Sequence, residues 1–291
     1  MIERVAVIGA GTMGNGIAQS LAIGGYAVTL IDAASAGLNR GLASIDENLR
    51  GSVDRGKLTA DEARQARHRI AAGTSIAAAK NAELVIEAVP EDLGLKHTVF
   101  GELEAVCSPT TVFATNTSAL SITEIASAVK DPARVIGMHY FNPAHIMKLV
   151  EIVRGLETSE RTVAAAVEVA TRSGKETVLV NESPGFATSR INAIIGNEAF
   201  YMLQEGVASA RDIDKALKLG LNHPMGPFEM IDLVGLDTRL KVLEYLHQTL
   251  GEKFRPCPLL VKYVKAGRLG RKVGRGVYDY ETEIAPSNTQ R

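Results

Sequence analysis

The chain has 291 residues, a formal net charge of −1 and 22% charged against 46% apolar residues, an ordinary globular balance with room for two domains. No global field of either sign is present to draw nucleic acid or an anionic membrane, so a polyanionic ligand needs a local cluster of cations. Cys107 and Cys257 lie 150 residues apart with no Cys-x-x-Cys or Cys/His ligand spacing, which reads as free thiols in a reducing compartment and no metal site. The chain enters a strand-like run at once and has no run of about 18 apolar residues, so a soluble cytoplasmic protein is expected.

Residues 4–32 read RVAVIGAGTMGNGIAQSLAIGGYAVTLID. Residues 5–8 are a short apolar run suited to a buried parallel strand. Gly9-Ala10-Gly11-Thr12-Met13-Gly14 then supplies G-x-G-x-x-G. Ile17, Ala18, Leu21 and Ala22 recur at helical spacing until Gly24-Gly25, and a second strand-like run, 27–31, ends at Asp32. Strand, glycine turn, helix, strand and acidic residue within about thirty residues make a strong dinucleotide signature. Gly9 permits the tight turn, Gly11 lets a diphosphate approach the backbone, and Gly14 lets the helix pack on the strand. The helix N-terminus offers N–H groups to phosphate. Asp32 accepts ribose hydroxyls and repels a 2′-phosphate, which selects NAD over NADP.

Residues 35–72 are polar and helical in character, broken near Gly56 and restarted after Thr59 as N-cap. Within 50–69 lie six basic residues, Arg50, Arg55, Lys57, Arg64, Arg67 and Arg69, against three acidic ones. Composition alone favours a solvated helix face over an anion site. Residues 83–89, ELVIEAV, read as a buried strand followed by a helix to about 106. The run 111–114 is another strand, opening into Thr115-Asn116-Thr117-Ser118 where ligands bind in open α/β sheets. Ser121, with Glu124 three residues on, is the better helix cap, which leaves Ser118 free.

Residues 134–153 read RVIGMHYFNPAHIMKLVEIV. A strand-like run delivers His139, Tyr140, Phe141, Asn142 and Pro143 at its end, and a second run, 149–153, carries Glu151. An imidazole and a carboxylate in neighbouring rigid segments are the parts of a proton-transfer pair. By itself the pair reads more readily as a satisfied core or loop histidine and a solvent-facing carboxylate. A helix near 160–172 and a strand at 177–180 follow, and the strand–helix alternation stops at Asn181-Glu182-Ser183-Pro184-Gly185. Beyond it only helices are expected, at 188–203, 211–219, 227–233, 237–250 and 259–266. The fold expected is α/β: a Rossmann-type doubly wound sheet with a helical insertion over residues 1–183, then an all-α domain over 184–291 that supplies substrate contacts and a dimer surface. The basic, glycine-rich end, GRLGRKVGRGVYDY, either folds back on a phosphate or is a solvated tail.

GAGTMG with Asp32, EAVPEDLGLK, ATNTSAL, GMHYFNP, MKLVEI, NESPGF, HPMGPFEMIDLVGLD and GRKVGRGVYDY stand in the order found in the 3-hydroxyacyl-CoA dehydrogenases, and the chain resembles that family over about residues 2–281. The resemblance is closest to its bacterial short-chain members, and it implies oxidation of a 3-hydroxyacyl-CoA with NAD as cofactor. It implies His139 as general base, Glu151 as its partner, and Ser118 as a hydrogen-bond donor to the reacting oxygen beside the nicotinamide. Glu91, Lys96, Asn142 and Lys272 align with NAD contacts, and Asn48 and Arg55 with contacts to the CoA moiety. Ser189 stands where the family commonly has Asn in PGFxxNR, a shorter side chain with one hydroxyl in place of an amide at a substrate contact; Asn192 lies one turn on. Three alternatives stay open: a dehydrogenase of a free hydroxy or sugar acid with the same His/Glu pair, a β-hydroxyacid dehydrogenase with a catalytic lysine, and a non-catalytic NAD-binding protein. GMHYFNP argues against the second, and the presence of both His139 and Glu151 against the third.

Overall fold

The computed structural model describes residues 2–280. The chain divides into two compact units, Met1–Ser183 and Pro184–Arg291. In the first, eight strands form one sheet: β1 Arg4–Ile8, β2 Ala27–Ile31, β3 Ile70–Gly73, β4 Leu84–Glu87, β5 Val112–Thr115, β6 Val135–Tyr140, β7 Leu149–Arg154 and β8 Glu176–Asn181. Their spatial order is β3-β2-β1-β4-β5-β6-β7-β8. The strand order therefore reverses between β1 and β4, where open sheets leave a crevice at their carboxyl ends. Six helices flank the sheet: α1 Thr12–Ile23, α2 Ser35–Asp54, α3 Ala60–His68, α4 Leu93–Val106, α5 Ile122–Ala126 and α6 Glu160–Arg172. The central strands are buried on both faces, with Val5, Val7, Leu30, Leu84, Ile86, Ile136 and Met138 in one core. That explains their unbroken apolar runs.

The helical insertion differs in one respect from the sequence reading. Thr59 does start α3, with a reciprocal capping box to Glu62, but the segment then becomes β3. After Ile70, the residues Ala71, Ala72 and Gly73 have weak strand propensity. They extend because β2 offers a parallel edge, with Val28 opposite Ile70 and Leu30 opposite Ala72. The sheet is parallel except at β6–β7, where the chain doubles back and runs antiparallel. That one reversal sets the candidate chemistry.

The second unit contains α7 Thr188–Glu205, α8 Ala210–Gly220, α9 Pro227–Val234, α10 Leu236–Leu250 and α11 Pro258–Lys265. Phe200, Phe228, Ile231, Leu243, Leu246 and Phe254 form its core, with the Phe200 and Phe228 rings edge-on at 5.2 Å. Asp214 of α8 caps α9: its carboxylate accepts Phe228 N–H at 2.8 Å, Glu229 N–H at 3.1 Å and the Tyr278 hydroxyl at 2.7 Å. Asp232 accepts Val277 N–H at 2.8 Å, Tyr278 N–H at 2.9 Å and the Tyr280 hydroxyl at 2.9 Å. A Cβ on Gly276 would stand 2.0 Å from an Asp232 oxygen, so glycine is required for that approach. The basic, glycine-rich end is thus tied to the helices through two buried carboxylates and is not a solvated tail. Among the described residues, no helix is long and apolar enough to cross a membrane.

Candidate active site

The glycine turn sits at the carboxyl end of β1, in the crevice. Gly9 has φ +97°, and a Cβ there would lie 2.7 Å from the Ala88 carbonyl oxygen; one on Gly14 would lie 1.7 Å from the Gly9 oxygen. A Cβ on Gly11 would meet nothing within 4 Å. Gly11 therefore borders open space, as a backbone approached by a diphosphate must. The first rung of α1 runs from Asn15 N–H to the Gly11 carbonyl at 3.0 Å, so the N–H groups of Thr12, Met13 and Gly14 precede the ladder and are available to an anion. A cavity of about 800 Å³ opens beside them, lined in part by Gly11, Met13, Asp32, Val89, Leu95 and Glu102 and by no lysine or arginine. Such a lining fits NAD and would repel the additional phosphate of NADP. Asp32 also fastens the turn: Oδ2 accepts Ala10 N–H and Oδ1 accepts Ala34 N–H, both at 2.9 Å.

Across the β6–β7 ladder His139 stands opposite Glu151. The antiparallel return explains the twelve-residue spacing, since it places the two side chains as cross-strand neighbours on one face. His139 Nδ1 and Glu151 Oε2 are 2.7 Å apart, with the histidine 5% and the glutamate 0% exposed. A buried carboxylate at that distance sets the proton on Nδ1, places the basic lone pair on Nε2, and stabilises the imidazolium formed when Nε2 is protonated. The Phe141 ring, 4.5 Å away centre to centre, flanks the imidazole. Asn116 Oδ1 accepts Tyr140 N–H at 2.9 Å and joins the end of β5 to that of β6.

Between the cradle and the histidine lies a polar network that the sequence reading missed. Glu87, the last residue of β4, is fully buried. It accepts Lys96 Nζ at 2.7 and 2.9 Å, the Thr115 hydroxyl at 2.6 Å and Val89 N–H at 2.7 Å. Lys96 stands 3.5 Å from Glu91 Oε2, while Glu91 Oε1 accepts the Thr117 hydroxyl at 2.5 Å and Ser118 N–H at 2.9 Å. Glu91, Lys96 and Ser118 are therefore brought together, with Lys96 buried as the counter-ion of Glu87 and the Ser118 side chain exposed. A carboxylate ending an otherwise apolar strand, with a lysine nine residues on in the next helix, was the available signal. Glu87→Gln removes the charge that holds Lys96 and is expected to destabilise the protein by about 2 kcal/mol. Urea unfolding reads this directly, and an unshifted midpoint would contradict it.

The remaining candidates are spread more widely. Asn142 is exposed just beyond β6, while Asn48 lies on α2 and Arg55 is its exposed C-cap. Ser189 is half-buried in the first turn of α7, and Asn192 follows one turn later. Lys272 lies in the second unit, where its ammonium donates to both Asp237 oxygens at 2.6 and 2.7 Å. Neither cysteine is disulfide-bonded, and burial pushes the Cys107 thiol up to about 11.

Comparison with known proteins identifies the family. Residues 4–183 match the 3-hydroxyacyl-CoA dehydrogenase NAD-binding domain, and residues 185–280 match the 3-hydroxyacyl-CoA dehydrogenase C-terminal domain. The chain is 47% identical over 285 residues, 98% of its length and 99% of the relative's, to a probable 3-hydroxybutyryl-CoA dehydrogenase of Bacillus subtilis. It is 44% identical to a 3-hydroxybutyryl-CoA dehydrogenase of Bradyrhizobium diazoefficiens, covering 96% of both chains. Among solved structures, the (S)-3-hydroxybutyryl-CoA dehydrogenase of Ralstonia eutropha matches with a TM-score of 0.93 at 42% identity, over 96% of this chain and 99% of that one. The chain belongs to the 3-hydroxyacyl-CoA dehydrogenase family, and its cofactor is NAD.

Proposed function

We propose that the protein interconverts (S)-3-hydroxyacyl-CoA and 3-ketoacyl-CoA, with the four-carbon 3-hydroxybutyryl-CoA as the preferred substrate. The observation that carries the reading is the 2.7 Å contact between His139 and the buried Glu151, at the carboxyl end of the sheet that bears the glycine cradle. NAD, held by residues 9–14 and Asp32, supplies the hydride acceptor at its nicotinamide. His139 Nε2 takes the proton of the 3-hydroxyl as the carbon is oxidised and returns it in the opposite direction. Glu151 holds the ring's tautomer and balances the charge that develops.

Ser118 donates its hydroxyl to the reacting oxygen, on a loop anchored through its backbone N–H to Glu91. Glu91, Lys96, Asn142 and Lys272 serve the cofactor, while Asn48, Arg55 and Ser189 serve the substrate. Residues 1–183 act as the NAD-binding domain and residues 184–291 as the substrate and dimerisation domain. A homodimer through the helical unit is supported by its exposed Ile191, Val207, Leu219, Leu221 and Leu233. Two free thiols fit a reducing, cytoplasmic setting.

The test is NADH oxidation by the purified protein with acetoacetyl-CoA, a longer 3-ketoacyl-CoA and free acetoacetate, each repeated with NADPH. The expected order of kcat/KM is acetoacetyl-CoA, then the longer thioester, with free acetoacetate and NADPH far behind. Preference for the free acid would instead favour the alternative dehydrogenase reading.

A further inference from the structure

Four consecutive residues at the end of β5 are tied to two glutamates. The Thr115 hydroxyl donates to Glu87 Oε2 at 2.6 Å, and Asn116 N–H to the Glu87 carbonyl oxygen at 2.8 Å. The Thr117 hydroxyl and Ser118 N–H both donate to Glu91 Oε1. Asn116 also accepts Tyr140 N–H, which joins this loop to the strand that carries His139. The placement of Ser118 therefore depends on Glu91, a side chain that is itself 43% exposed and needs something to hold it.

What holds Glu91 besides the loop is Lys96. The ammonium gives both Glu87 oxygens short bonds, at 2.7 and 2.9 Å, and stands farther from Glu91 Oε2, at 3.5 Å. Lys96 is 1% and Glu87 0% exposed, so solvent does little to offset that charge. With the Glu87 charge present, the lysine is balanced where it lies and draws only weakly on Glu91. Without it, a buried ammonium has one carboxylate within reach, and the attraction at low dielectric is strong. Glu91 then closes on Lys96. Because the other oxygen of the same carboxylate holds Thr117 and Ser118, the closure turns Oε1 away from the loop.

We propose that Glu87 is a positioning residue for the dehydrogenase reaction: its buried charge occupies Lys96, keeps Glu91 on the 117–118 loop, and so aims the Ser118 hydroxyl at the reacting oxygen. Glu87 acts through two other side chains and from a neighbouring strand. The inference rests on the role given to Ser118 above and goes beyond it, since it names what governs that donor. Networks of this kind are apportioned by removing members singly and together.

The test is a double-mutant cycle on NADH oxidation with acetoacetyl-CoA, at saturating NADH and thioester, with Glu87→Gln, Ser118→Ala and the double variant. Ser118→Ala alone is expected to lower kcat by about 10²-fold, the loss of one aligned donor. Glu87→Gln alone lowers it by about tenfold, a loss of orientation, and by less than about twofold once Ser118 is alanine. A fold merely loosened by the substitution would lose the same factor in both backgrounds. Should Glu87→Gln not fold, Glu91→Ala carries the same test, because it removes the loop's anchor at a half-exposed site. Its loss, also about tenfold, must likewise vanish when Ser118 is alanine. Equal factors in both backgrounds, or an unchanged kcat in Glu87→Gln, would overturn the proposal. An unchanged kcat in Ser118→Ala would overturn it together with the role of Ser118, while leaving the dehydrogenase reading intact. Failure of the wild type to oxidise NADH with acetoacetyl-CoA would remove that reading as well.

Discussion

Replacing His139 with alanine is expected to lower kcat by about 10²–10⁴-fold, or about 3–5 kcal/mol of barrier, while NADH still binds with wild-type affinity. The magnitude is that of losing a positioned proton acceptor. Water can take the proton in its place, but it arrives unoriented and without the buried Glu151 charge behind it. The separation of effects follows from the fold: His139 is the penultimate residue of β6, whereas the glycine cradle is built at the ends of β1 and β2. Steady-state kinetics together with NADH fluorescence titration checks both halves. Near-normal turnover would exclude His139 as the base. Glu151→Gln is a milder change, because it retains a group for Nδ1 and removes only the charge.

Asp32→Ala is expected to weaken NAD binding by about 10²–10³-fold and acyl-CoA binding hardly at all. Two losses combine. The carboxylate no longer accepts the ribose hydroxyls, at about 1.5–3 kcal/mol for a hydrogen bond to a charged group. In addition, Ala10 and Ala34 lose the oxygens that now receive their N–H groups at 2.9 Å, so the glycine turn loses its tie to the end of β2. Titration calorimetry with NAD and with acetoacetyl-CoA separates the two ligands. Unchanged NAD affinity would remove Asp32 from the cofactor site.

Several parts of the molecule were legible before any coordinates because local chemistry and tertiary role coincide there. Gly9, Gly11 and Gly14 are each dictated by a backbone approach within their own βαβ unit, and helix α6 covers the residues 160–172 that its apolar period indicates. β3 was not legible, since Ile70-Ala71-Ala72-Gly73 becomes a strand only because β2 needs a partner. Proximity of His139 and Glu151 was readable as neighbouring runs, but the register that places them opposite each other depends on the antiparallel return. Glu87 was hidden for a different reason: a carboxylate ending an apolar strand looks like a boundary residue until its lysine is seen buried against it.

If His139 and Glu151 move the substrate proton, oxidation needs the neutral ring and reduction needs the charged one. The most direct measurement is the single-turnover rate of cofactor oxidation or reduction against pH, in both directions, for wild type and His139→Gln. The rate of NADH oxidation with acetoacetyl-CoA is predicted to fall as pH rises. The rate of NAD reduction with 3-hydroxybutyryl-CoA is predicted to fall as pH drops, and both dependences should vanish in the variant. Profiles that slope the same way in both directions, or that survive unchanged in His139→Gln, would contradict the assignment.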